Sequence, residues 1–170
     1  MNTSKLPPNP LSRVRRNHGL EHATIHVLNK QFPNIKLGGV STPVGFAIIG
    51  EVTTEDVAKA AIEALKRLRA GEGDLALHPN CGTNFAIPGI FAGTAAWLGT
   101  LGSEKKLESK LERLPLSILL ATLVLILTRT LGPVVQKQIM VAGDPEGLEL
   151  ERVKTSIRAG MRIHHVITKG

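Results

Sequence analysis

The chain predicts an α+β fold: a small helix/strand domain on the cytoplasmic side of a membrane, carrying a two-helix transmembrane hairpin. Three observations lead there. From Leu11 to Leu28 apolar residues recur at three- and four-residue steps, as on one face of a helix. Val44, Phe46, Ile48 and Val52 alternate as in a half-buried strand. Most of the remaining apolar residues crowd between Phe85 and Val135, in two runs separated by a charged link.

Residues 1–10 contain no apolar run and are expected to be a flexible lead-in, not a signal peptide. Residues 11–83 form the expected polar domain. In its first helix, Leu11, Val14, His18, Glu21, His22, Ile25 and Leu28 fall within an arc of about 120°, and Pro33 ends the pattern. Residues 35–40 and 44–52 are strand candidates around a turn at Ser41, Thr42 and Pro43. Thr53 followed by Asp56 resembles a capping box and opens a helix over 54–70. Val57, Ala60, Ala61, Ala64, Leu65 and Leu68 give that helix its apolar stripe, and Gly71 stops it. Residues 75–84 are expected to be a strand end running into a Pro/Gly loop.

Residues 84–136 are the expected hairpin, with helices over 84–102 and 114–135. Residues 83–102 carry no charge, and the Gly89/Gly93 and Ala92/Ala96 pairs would let another helix approach closely. The link over 103–113 is dense in Glu and Lys and can form a short exposed helix. As core helices of a soluble protein, such runs would need cover on all sides, and the remaining ~120 residues are too few to supply it. Arg13, Arg15 and Arg16 before the hairpin, with Lys137, Arg152, Lys154, Arg158 and Arg162 after it, point to both termini being cytoplasmic in a bacterial inner membrane. In residues 137–170, strands over 139–142, 148–155 and 161–168 are expected to complete the sheet.

The charge balance, 21 Lys+Arg against 14 Asp+Glu, calls for an anionic partner. With no Tyr and one Trp the chain is poorly equipped to stack nucleic-acid bases, so the lipid bilayer is the expected partner and nucleic acid is not. A single cysteine, Cys81, rules out an intrachain disulfide and leaves a core thiol, a metal ligand or a nucleophile.

His18-Gly19-Leu20-Glu21-His22 has the form H-x-x-E-H. On a helix the two imidazoles stand one turn apart and can share an ion, with Glu21 beside them to act on a bound water. All three lie in the apolar stripe, where titratable groups are costly unless satisfied. A hydrogen-bonded core cluster is the alternative to a metal site. His26, one turn further, is read as a surface or supporting residue. A third ligand is available from His78 or Cys81 in the stiff His78-Pro79-Asn80-Cys81 loop, with Glu51 a weaker candidate. His164 and His165 would face opposite sides of a strand, so at most one could join a site.

Together, His18-Gly19-Leu20-Glu21-His22-Ala23-Thr24-Ile25 and His78-Pro79-Asn80-Cys81-Gly82-Thr83 resemble the paired motifs of the YqhQ-like bacterial integral membrane proteins. The resemblance covers both motifs, their order and the apolar run after the second. Asn29 stands where that family carries an acidic residue, which marks a distant relative or a smaller sister family. The resemblance implies a shared metal-dependent site and no particular substrate.

The expected function is that of a membrane-anchored, zinc-dependent hydrolase, peptidase-like, acting on a lipid or membrane-protein substrate. His18, His22, His78 and Cys81 are the candidate ligands and Glu21 the general base. The alternative is a non-enzymatic assembly or scaffold protein whose four ligands close a structural zinc site. A third reading makes Cys81 a metal-free nucleophile activated by His18 or His22.

Overall fold

The computed structural model describes residues 9–102 and 107–170. Most of the expected lead-in (1–8) and part of the charged link (103–106) lie outside the described residues. The chain divides into two units: one holds the described residues up to His78 together with Lys137–Gly170, the other Pro79–Gln136.

The first unit is a two-layer α+β structure. Helix α1 (Pro10–Gln31) begins where the Asn9 side chain accepts the Leu11 N–H, with Pro10 pre-set for the first turn. Strands β1 (Gly38–Thr42) and β2 (Gly45–Ile49) form an antiparallel pair. Helix α2 (Thr54–Arg69) opens at Thr53, whose hydroxyl accepts the Asp56 N–H, as the capping box requires. Strands β3 (Glu149–Arg158) and β4 (Met161–Lys169) are joined by Ala159–Gly160, both with positive φ, the geometry a tight hairpin needs. The sheet order is β1-β2-β4-β3, antiparallel throughout, so strands from before and after the apolar stretch do complete one sheet.

Registry decides what faces the helices. Phe46 pairs with Val166 and Ile48 with His164, and all four are buried. The same face of β1 presents Gly39 and Ser41. Against this face pack Leu20, Ala23 and Leu28 of α1 and Val57, Ala60, Ala61, Ala64 and Leu68 of α2. Asn17, fully buried, ties the layers together: its amide donates to the Thr42 carbonyl at 2.8 Å and its carbonyl oxygen accepts from the Thr168 hydroxyl at 2.8 Å.

Two expected strands are absent. Residues 75–84 do not begin as a strand; a short 3-10 turn covers Gly73–Ala76 and a loop follows. Residues 139–142 are not a strand either, since a wide helical turn covers Gln136–Met140. The physical reason is the same in both places. The backbone acceptors a sheet would need are taken by α1: Ala76 and Leu77 by His22 and His26, and Gln138, Met140 and Val141 by Arg15 and His18.

The second unit contains α3 (Thr83–Gly99), α4 (Leu107–Glu112), α5 (Leu114–Thr128) and α6 (Leu131–Val135). Helices α3 and α5 run antiparallel: Gly99 abuts Ser117, while Gly132 abuts Asn84. The close approach expected at Gly89 and Gly93 does not occur there, for a Cβ at either would meet nothing within 4 Å. Among the described residues, one helix is long and apolar enough to cross a membrane, Leu107–Thr128. With 17 residues, α3 falls short of the ~20 needed to span hydrocarbon.

Candidate metal centre

Helix α1 carries His18, His22 and His26 at one-turn intervals, and the turn after α2 brings His78 alongside them. Ring centroids of His18 and His22 are 4.4 Å apart, those of His22 and His78 5.6 Å, and those of His26 and His78 4.9 Å. One ligand atom on His18 and one on His22 lie within 4.8 Å of each other. His22 is 2% exposed, and His18, His26 and His78 are half-buried.

Backbone carbonyls orient the rings. His22 Nδ1 lies 2.7 Å from the Ala76 carbonyl oxygen and His18 Nδ1 3.1 Å from that of Met140. A carbonyl can only accept, so each Nδ1 carries a proton, and in the neutral ring Nε2 then carries the lone pair. Metal-ligating histidines are oriented in this way, by a backbone or carboxylate acceptor on the other nitrogen. His26 is the mirror case, its Nε2–H donating to the Leu77 carbonyl at 2.7 Å. Burial, and then the neighbouring His26 and His22, push the His78 pKa down to about 4. His78 is therefore a neutral imidazole at neutral pH, the form that binds metals.

Gly19 explains its own place between the histidines. A Cβ there would overlap the Ala142 carbonyl oxygen, so only glycine lets α1 lie close enough to this segment for His18 to reach Met140. The neighbouring Ala142 N–H donates to the Arg15 carbonyl at 2.9 Å, which fixes the same approach.

Glu21 is 4% exposed and lies against β1, where its carboxylate accepts a hydrogen bond from the Ser41 hydroxyl and covers Gly39. Neither residue was legible as its partner, because the β1 register that places Gly39 and Ser41 under α1 has no local signal. His164 and His165 do face opposite sides of β4, buried and exposed respectively. His164 bonds Thr155 at 3.1 Å within the helix-covered layer. Glu51 is exposed just beyond β2. Cys81 belongs to the second unit, three residues beyond His78 in the chain.

The profile of a domain of unknown function, DUF6391, matches residues 13–153. A similar protein, uncharacterised, comes from Picosynechococcus sp.; it is 40% identical over 98 residues, which cover 50% of this chain and 48% of the relative. The chain thus spans about half the length of the curated relative it matches. No solved structure matches. What these matches support is an uncharacterised bacterial family, and the more specific YqhQ-like kinship is not among them.

Proposed function

The chain belongs to the DUF6391 family, and from that premise and the histidine geometry we propose a membrane-attached zinc protein that hydrolyses a membrane-borne substrate. His18 and His22 are two ligands, and His78 or Cys81 supplies the third. The observation that carries the reading is the paired orientation of His18 and His22, each with Nδ1–H given to a backbone carbonyl and Nε2 left as the electron-pair donor. A zinc ion held there would polarise water or a carbonyl oxygen. Glu21, beside His22 and one turn from His18, would take the proton. Two antiparallel passes, α5 with α3 and a distant kinship with YqhQ-like proteins are parts of the same proposal. So is the placement at the bilayer surface. It rests on connectivity: Ala76, Leu77 and Met140, which orient the histidines, lie a few residues from the points where the chain enters and leaves the apolar unit.

A second reading has its own observation. The Glu21 carboxylate is buried and engaged by Ser41, which suits a residue that ties α1 to the sheet beside a closed structural zinc. One set of variants separates the two. In wild-type protein purified without chelators, elemental analysis should find about one zinc per chain or more. His18→Ala and His22→Ala should lower it about tenfold or more, together with the thermal midpoint, because ion binding to the folded state is folding free energy. Glu21→Gln should keep the metal while abolishing turnover of fluorogenic lipid-ester and peptide reporters. Turnover unchanged in Glu21→Gln would leave the structural reading standing, and metal-free wild-type protein would end both.

A further inference from the structure

The row of imidazoles is longer than one ion requires. In order, His18, His22, His78 and His26 have successive centroid separations of 4.4, 5.6 and 4.9 Å. A zinc-type ion lies about 2.0–2.1 Å from a coordinating imidazole nitrogen. The ring centroid then stands about 3.2 Å from the ion, and two imidazoles at the tetrahedral angle have centroids about 5 Å apart. His26 with His78, at 4.9 Å, matches that spacing, while His18 with His22 and His22 with His78, at 4.4 and 5.6 Å, fall on either side of it. The Leu77 carbonyl, by taking the Nε2–H of His26, fixes the tautomer in which His26 Nδ1 carries the lone pair. That is the same orienting device that serves His18 and His22, applied to a residue a single-ion site would not use. His26 is half-buried, and its ring lies beside that of His78.

We propose that His26 and His78 hold a second divalent transition-metal ion, next to the one held by His18 and His22. This rests on the metal reading above and sharpens it, because it commits His78 to the second ion. Two imidazoles leave positions open in a four-coordinate shell, so the second ion would keep water or a substrate oxygen as ligand.

The test uses the full chain in detergent, stripped with a chelator, dialysed and titrated with Co(II). Visible absorbance and elemental analysis give the stoichiometry. Two equivalents are expected in the wild type. His26→Gln, of similar volume, should bind one, with circular dichroism confirming the fold. A single equivalent in the wild type, or two in His26→Gln, overturns the second ion. If one equivalent binds and is lost in His18→Ala, the earlier reading survives alone; if the wild type binds none, both fall. Should His26→Gln fail to fold, the wild-type stoichiometry decides by itself.

Discussion

His164 shows how one side chain couples this fold to pH. It is fully buried, 3.1 Å from the Thr155 hydroxyl, beneath the start of α2. Burial is the largest influence and lowers its pKa; the Val52 carbonyl opposes this, Arg162 adds to it, and Glu51 and the Gly50 carbonyl oppose it further. The unfolded chain therefore takes up a proton near pH 6.5 that the folded chain refuses until lower pH. Stability is complete above about pH 6.5 and is lost as the pH falls below it. Metal-free protein should show a falling thermal midpoint between pH 7 and pH 5. His164→Gln, which cannot titrate, should flatten that slope in part, the remainder coming from His78, lowered in the same sense. An unaltered slope would mean that His164 does not titrate differently on folding. That His164 and His165 point to opposite faces was legible from strand alternation alone. That Thr155 would meet His164 was not, since their pairing is set by where the hairpin turns, at Ala159–Gly160.

At the scale of elements, α1 does most to organise the site. Its length, its N-terminal start and its histidine spacing were all legible, and so were α2 and its cap. What sequence could not show is that α1 captures backbone from both ends of the apolar insert. The two missing strands, over 75–84 and 139–142, have strand-like composition but spend their carbonyls on Arg15, His18, His22 and His26. A propensity argument has no access to that competition, because the partner is over fifty residues away in the chain. Gly19 is the test of it. Gly19→Ala places a methyl group on the Ala142 carbonyl. It should destabilise the protein by about 1–3 kcal/mol, the usual cost of overpacking. Zinc retention should fall with it as His18 loses Met140. Denaturation with and without chelator measures both, and a metal-insensitive loss would confine Gly19 to packing.

For the molecule as a whole, the apolar unit stands out by its exposed apolar side chains. Phe85, Ile90, Trp97, Ile118, Leu119, Ile126 and Leu127 are all more than half exposed on α3 and α5. Soluble monomers rarely leave contiguous apolar surface on that scale. The existence of these helices was legible from the uncharged runs, but their meeting point was not. Gly99, not Gly89 or Gly93, makes the contact, because helix length and turn position set the register. Carbonate extraction of membranes should leave the protein in the pellet. Recovery in the supernatant would mean that another surface, such as a second protein, covers these helices.

The order of strands in the sheet has a consequence for how the protein is made. Strand β4, which sits between β2 and β3, follows both of them in the chain. When β1, β2, α1 and α2 have emerged, β2 still lacks its inner neighbour, and the whole apolar insert must pass before that neighbour arrives. Phe46 and Ile48 cannot reach their final partners, Val166 and His164, until the insert and β3 have been made. The sheet therefore closes only after the whole apolar insert has been synthesised, so the polar unit completes its core late.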